Sequence, residues 1–321
     1  MTAGKKILWL LIGMILTVVL ACGACLPLAL LAGSAMQGTQ VASQLPKGPG
    51  VAVVRVEGMI VSGDPPSSPF GSQTGTAYSG QVVRHLKQAE EDSNVKAVVL
   101  RVDSPGGGVV ASSEIHAQMA AMSKPVVVSM GSMAASGGYY ISAPATYIFA
   151  NPDTLTGSIG VIAQFLDLSK LLADYGIAAT TIKSGTFKDE GSMFRPMTEA
   201  EKAIWQAIID EAYEGFVTVV AEGRDLTVDE VKDLADGRVY TGRQALELKL
   251  VDGLGNMREA ILKAGELGGI EGEPEIIEYR EPFDFFSSLF QMVTPADPLA
   301  NLLRLLDRSH GPVLQYLYAA P

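Results

Sequence analysis

Three β-branched runs dominate the hydrophobic pattern in the first half of the chain: Val51-Ala52-Val53-Val54-Arg55-Val56, Lys96 to Val102, and Pro125 to Met130. Each is short and almost free of polar residues, the pattern of a strand covered on both faces. Apolar positions with helical spacing predict helices over 109–122, near 135–143 and near 167–175. Further short strands are predicted near 146–149, 158–163 and 177–183. In the second half, Thr198-x-x-Glu201, Thr227-x-x-Glu230 and Thr241-x-x-Gln244 each precede an apolar-periodic run, and so read as capping boxes at helix starts. Short strands followed by helices predict an α/β core with parallel strands.

The pattern changes at both ends. Ile7 to Gly33 carry no charge, a stretch long enough to span a bilayer with some tilt. Lys5 and Lys6 precede it, and the next basic residue is Lys47. The expectation is a single transmembrane anchor with a cytoplasmic N-terminus and the remainder outside. A cleaved signal peptide usually has a shorter apolar core. Val19-Leu20-Ala21-Cys22 loosely resembles a lipoprotein processing site, but the apolar sequence continues to Leu31, so lipidation at Cys22 stays open. Residues 1–33 thus read as N-terminus and anchor, 34–50 as a linker, and 51–282 as one folded domain interrupted by a turn-rich loop over 62–79. Residues 283–321 read as two short amphipathic helices (283–293 and 298–307) and an apolar tail. Free termini are normally polar, so that tail is expected to dock.

Composition removes several kinds of chemistry. With 321 residues, 48% apolar, 18% charged and a mean hydropathy of +0.24, the chain is too apolar to be disordered. A net charge of −11 lacks the basic footprint that phosphates require, which argues against nucleic acid as a partner. Both cysteines, Cys22 and Cys25, lie in the N-terminal apolar run, and His85, His116 and His310 have no metal-ligand spacing. The folded domain therefore offers no thiol nucleophile, and no metal site is expected.

Two glycine-rich turns follow buried strands. In Asp103-Ser104-Pro105-Gly106-Gly107-Gly108, free backbone amides can converge on a developing oxyanion and glycine admits a close peptide backbone. Alone, such a turn is more often a tight connection. The second turn, Gly131 to Tyr140, places Ser136 at a helix entrance with Gly137 and Gly138 behind it. A capping serine explains the hydroxyl, but not the two glycines that weaken the first helical turn. A serine nucleophile needs a base, and no histidine adjoins a suitable turn. A desolvated lysine is the other option, and Lys188 lies in an irregular segment beside Phe187, Met193 and Phe194. Adjacent Asp189 and Glu190 would hold such a lysine protonated if their carboxylates faced it. Spacing alone leaves this pairing open.

The stretch Gly131 to Ile162, with DSPGGGV (103–109), IKSGTFKD (182–189), MTEAEK (197–202), YEGFV (213–217) and DGRVYTGRQA (236–245) in order, resembles the signal peptide peptidase A family of membrane-bound serine proteases, in its short form. The resemblance implies an α/β fold of the Clp/crotonase type, stacked ββα units with a helical arm. It implies Ser136 as nucleophile, Lys188 as general base, Ser158 as the hydroxyl orienting the lysine, and an oxyanion hole from Gly137 with Gly106 or Gly107. It further implies no cofactor, substrates that are apolar signal peptide remnants, and a homo-oligomeric ring with each dyad shared between protomers. The implied location is the cell membrane, single-pass, with the catalytic domain extracytoplasmic. Because Leu317-Tyr318-Ala319-Ala320 resembles that substrate class, the tail is expected to occupy a catalytic groove. A stomatin-type membrane Ser–Lys protease and a crotonase-like acyl-CoA enzyme are the alternatives.

Overall fold

The valine runs become the centre of a parallel sheet in the computed structural model, which describes residues 48–65, 75–279 and 315–317. The strands are β1 (Gly50–Glu57), β2 (Met59–Val61), β3 (Thr76–Tyr78), β4 (Val95–Ser104), β5 (Gly106–Gly108), β6 (Val126–Ala135), β7 (Tyr147–Ala150), β8 (Leu155–Gly157), β9 (Val239–Thr241), β10 (Gly253–Leu254), β11 (Glu275–Glu278) and β12 (Gln315–Leu317). The helices are α1 (Ser79–Glu91), α2 (Val109–Ala120), α3 (Gly137–Ser142), α4 (Ser169–Asp174), α5 (Glu199–Arg224), α6 (Val228–Leu234), α7 (Gly242–Glu247) and α8 (Met257–Leu267).

The main sheet runs β10-β7-β6-β4-β1-β11, all parallel, while the far end of β6 also pairs with β8, and β8 with antiparallel β9. Strict alternation divides its side chains. Val51, Val53, Ala97, Val99 and Val127 meet Ala260 and Ala264 of α8 on one face. Val54, Val98, Leu100 and Val128 turn to the other face, in one core with Leu86, Ile115 and Phe216 of α1, α2 and α5. Burial on both faces is why these strands carry almost no polar residue. A second small sheet, β12-β5-β2-β3, stands at the end of β4 and carries the first glycine turn.

All three capping boxes form: Thr198, Thr227 and Thr241 each accept from the N3 amide while the N3 side chain accepts from the threonine amide. Two expected strands do not. The strand placed at 158–163 forms instead at Leu155–Gly157, because Gly157 (φ 77°) and Ser158 (φ 49°) leave the extended region. The strand placed at 177–183 is irregular and exposed, with no ladder partner among the described residues. The expected anchor (7–33), most of the linker, and the helices at 283–293 and 298–307 lie outside the described residues. Among the described residues no helix is long and apolar enough to cross a membrane.

Candidate active site

β6 ends at Ala135, and the next residue, Ser136, has its backbone at φ 52°, ψ −116°. A non-glycine residue in such a region costs about 1–3 kcal/mol and persists only where its surroundings hold it. Here the Ser136 amide donates to the Gly157 carbonyl (2.8 Å), and its own carbonyl accepts from Tyr140 in the first turn of α3 (2.8 Å). Its hydroxyl makes no capping bond to α3, and the residue is 1% exposed. The serine is thus held in an unusual conformation, and its hydroxyl makes no hydrogen bond among the described residues.

The two glycine turns meet at this point. A Cβ built on Gly137 would stand 3.1 Å from both Gly107 N and the Tyr316 carbonyl oxygen. One on Gly106, where φ is 100°, would stand 2.0 Å from that oxygen and 2.6 Å from Gly137 N. Any side chain would fill this space, which is why three glycines surround it. The Gly106 amide donates to Ser104 Oγ (3.1 Å), and Ser104 Oγ donates to the Gly58 carbonyl (2.6 Å). Gly107 pairs with Tyr316 across the β5–β12 ladder, and Gly137 lies beside the same Tyr316 carbonyl. Ser104 and Ser112 were not legible as site residues. Ser112 Oγ is buried against Gly137 without a hydrogen-bond partner.

The occupant of this space is the chain's own tail. β12 pairs antiparallel with β5, setting Tyr316 opposite Gly107, and on its other side Gln315 exchanges both backbone hydrogen bonds with Ile162 (3.1 Å each). The segment lies as a peptide strand between two edges. Residues 315–317 dock, as expected of the tail, with Tyr316 in the pocket; the small residues Ala319 and Ala320 lie outside the described residues. Its ring is 2% exposed, stacked on Tyr140 (4.9 Å) and tilted against Phe216 (4.7 Å), and its hydroxyl donates to the Ala212 carbonyl (3.0 Å). Burial pushes the Tyr140 and Tyr316 phenols up, so both stay protonated at neutral pH. Aromatic pairs of this kind add about 0.5–1.5 kcal/mol each beyond the buried area. Deleting residues 311–321 from the full chain should therefore raise turnover of a short peptide several-fold and lower its KM. Unchanged kinetics would exclude the tail as a competitor for the groove.

Ser158 follows the Gly157 carbonyl that holds Ser136, is 7% exposed, and donates its amide to Arg238 (2.8 Å). An open cleft of about 560 Å³ runs from Leu317 past Ser158, lined also by Gly160, Ile162, Gln206 and Tyr213. The structure thus brings together Ser136, Ser158, Gly106, Gly107 and Gly137. It does not bring Lys188 to them: that side chain is exposed, and no hydrogen bond joins it to the buried Ser136. The two described histidines are no substitute. His116 packs on Tyr140 (5.1 Å), its pKa lowered by burial, and His85 lies beside Tyr279 (6.0 Å). No cluster of metal-ligating side chains occurs among the described residues.

A parallel α/β sheet that ends in a buried serine, with two glycine turns and a docked peptide strand beside it, fits a protease of the Clp-like class, and the Clp protease family profile matches residues 69–154. The profile of Peptidase family S49 matches residues 118–271. Over 246 residues the chain is 43% identical to an Enterococcus faecium protein named as a candidate signal peptide peptidase, covering 73% of this chain and 71% of that one. It is 45% identical over 210 residues to a Synechocystis protein named as a candidate protease, covering 64% and 75%. Identity to Protease 4 of Haemophilus influenzae is 40% over 292 residues, 84% of this chain but 46% of that longer protein. The chain belongs to peptidase family S49, the signal peptide peptidase A family.

Proposed function

We propose that this protease is a serine endopeptidase that degrades apolar signal peptide remnants in the membrane through a Ser136–Lys188 dyad. The observation that carries the reading is the Tyr316 carbonyl held beside Gly106, Gly107 and Gly137, the residue next to Ser136, with its strand paired on both edges. A substrate strand bound in the same register presents its scissile carbonyl to the serine. The Lys188 amine, desolvated when a neighbouring copy covers it, accepts the Ser136 proton as Oγ attacks that carbon. The Gly107 and Gly137 amides hold the oxyanion, and the lysine protonates the leaving amine. A water deprotonated by the same amine then releases the acyl group.

The arm from Leu166 to Phe194 supports a shared dyad within a homo-oligomeric ring. Ile182 is 97% exposed and Tyr175 77%, and Leu166 and Phe194 are also exposed, an apolar surface that a second copy would cover. An anchor over 7–33 would set the assembly at the cell membrane with its catalytic domain outside, beside the peptides that secretion leaves behind. The aromatic pocket around Tyr316 supports cleavage after a large apolar or tyrosyl residue.

To test the reading, the full chain in detergent is given a synthetic apolar signal peptide and a polar, unstructured peptide of equal length, with products identified by mass spectrometry. The apolar peptide should be cut at least ten-fold faster, on the C-terminal side of large apolar or aromatic residues. Equal rates would defeat the substrate assignment. A crotonase-like enzyme would cut neither.

A further inference from the structure

The segment presenting Lys188 has almost no packing of its own. Residues 177–188 are exposed, and 186–191 form consecutive turns, with Lys188 N donating to the Gly185 carbonyl (3.2 Å). One residue later the chain is clamped. Arg195 Nε donates to Asp189 Oδ2 (3.0 Å), and Nη2 donates to Asp189 Oδ1 (2.8 Å) and to the Asp189 carbonyl (3.1 Å). The outer edge of the same guanidinium meets Glu201, Nη1 donating to Oε2 (2.9 Å) and Nη2 to Oε1.

Glu201 is the anchor of this chain of contacts. Its side chain is 2% exposed, and Oε2 also accepts from the Thr198 amide (2.8 Å) and hydroxyl (2.9 Å) as the capping box of α5. Arg195, and behind it the Thr198 amide, hold the Glu201 carboxyl down at about 2, and Arg195 with Lys183 holds Asp189 lower still. The network therefore stays ionised at any pH where the enzyme would work. The other end of α5 sinks Phe216, Val217 and Val220 into the core. The residue after Lys188 is thus tied, through one guanidinium, to a helix fixed in the body of the domain. Buried ion pairs of this kind contribute little net stability, and their best-attested use is to fix geometry.

The clamp also answers an electrostatic problem. A free carboxylate beside Lys188 would favour the charged amine and disable a general base. The Asp189 carboxylate is instead turned onto Arg195 and onto Lys183 Nζ (2.6 Å).

We propose that Arg195 is a positioning residue for Lys188, locking Asp189 onto Glu201 at the head of α5 so that the lysine is offered on a fixed turn to the Ser136 site of the adjoining copy. This rests on the shared-dyad reading above.

Two mixed assemblies test it, each rebuilt from dissociated full-length chains. In the first, Arg195→Ala accompanies Ser136→Ala, the chain that donates the lysine, and is mixed with Lys188→Ala chains. In the second, Arg195→Ala accompanies Lys188→Ala, the chain that donates the serine, and is mixed with Ser136→Ala chains. Both contain the same dose of the altered arginine, so any general loss of stability or assembly is common to them. Relative to the mixture with Arg195 intact, kcat should fall at least ten-fold in the first, with KM within two-fold, and stay within two-fold in the second. Arg195→Lys, which cannot span both carboxylates, should behave as Arg195→Ala does. Equal losses in the two mixtures, or no loss in either, would overturn the proposal. A silent Arg195-intact mixture beside active wild type would overturn the shared dyad itself, and this role with it.

Discussion

Full-length chains carrying Ser136→Ala and full-length chains carrying Lys188→Ala should each be inert towards an apolar peptide, while a co-assembled mixture recovers activity. Each single substitution removes a group that acts with its partner as a unit, so each should cost about 10⁴-fold or more. In a randomly mixed ring, a site is complete only when its serine comes from one variant and its lysine from the other. That arrangement limits recovery to about a quarter of the wild-type rate. The expectation comes from a contrast inside one protomer: Ser136 is 1% exposed just after β6, whereas Lys188 is exposed in an irregular, turn-built segment of the arm. Ser158 borders a cleft that a side chain from outside could enter. Activity in the mixture and in neither variant alone establishes a dyad across the interface. Exchange of subunits without recovery places both groups in one chain, and full activity of either variant alone removes that residue from the chemistry.

The elements that were legible in the sequence are those whose cause is local. Valine runs at 51–56, 96–102 and 125–130 became β1, β4 and β6 because a strand buried on both faces tolerates nothing else. The three Thr-x-x-Glu/Gln boxes became helix starts because the cap is made within four residues. What was not legible depends on distant partners. The run at 177–183 reads as a strand, but a strand needs an edge to pair with, and the described residues supply none. The positive φ at Gly157 and Ser158 moved β8 upstream, a backbone choice made by the neighbouring Ser136 amide and Arg238 carbonyl. In the site, Ser136 and the glycines stood out by composition. Ser104, which occupies the Gly106 amide, did not, nor did Tyr140 and Phe216, which form the aromatic pocket: an apolar residue on a helix looks the same whether it faces a core or a groove. The carboxylate of Asp189 looked like a hazard beside Lys188, and only the fold shows it held by Arg195.

Gly137→Ala should abolish most activity while leaving the fold intact, and this separates the oxyanion space from the architecture around it. The added methyl would stand 3.1 Å from Gly107 N and from the place where the Tyr316 carbonyl sits. Its nearest neighbour, Ser112 Oγ at 2.6 Å, has no hydrogen-bond partner to lose and can rotate away. Gly137 begins α3 without the positive φ that would make alanine strained, and alanine favours a helix over glycine by about 1 kcal/mol. The helix itself should therefore be unharmed, and any fall in thermal stability should come only from the contacts of the displaced tail. The substrate carbonyl, however, loses its position against the two amides, and removal of one such interaction costs about 10²–10³-fold in kcat. The same methyl should displace β12 from the groove, so carboxypeptidase should trim through residues 315–317 in the variant and not in wild type. Gly215→Ala, at a position in α5 where nothing lies within 4 Å of the added Cβ, serves as the comparison and should alter neither rate nor tail. Full activity of Gly137→Ala would mean that the scissile carbonyl does not bind where Tyr316 binds. The tail strand would then be a structural plug beside the catalytic groove, with no bearing on how substrate is held.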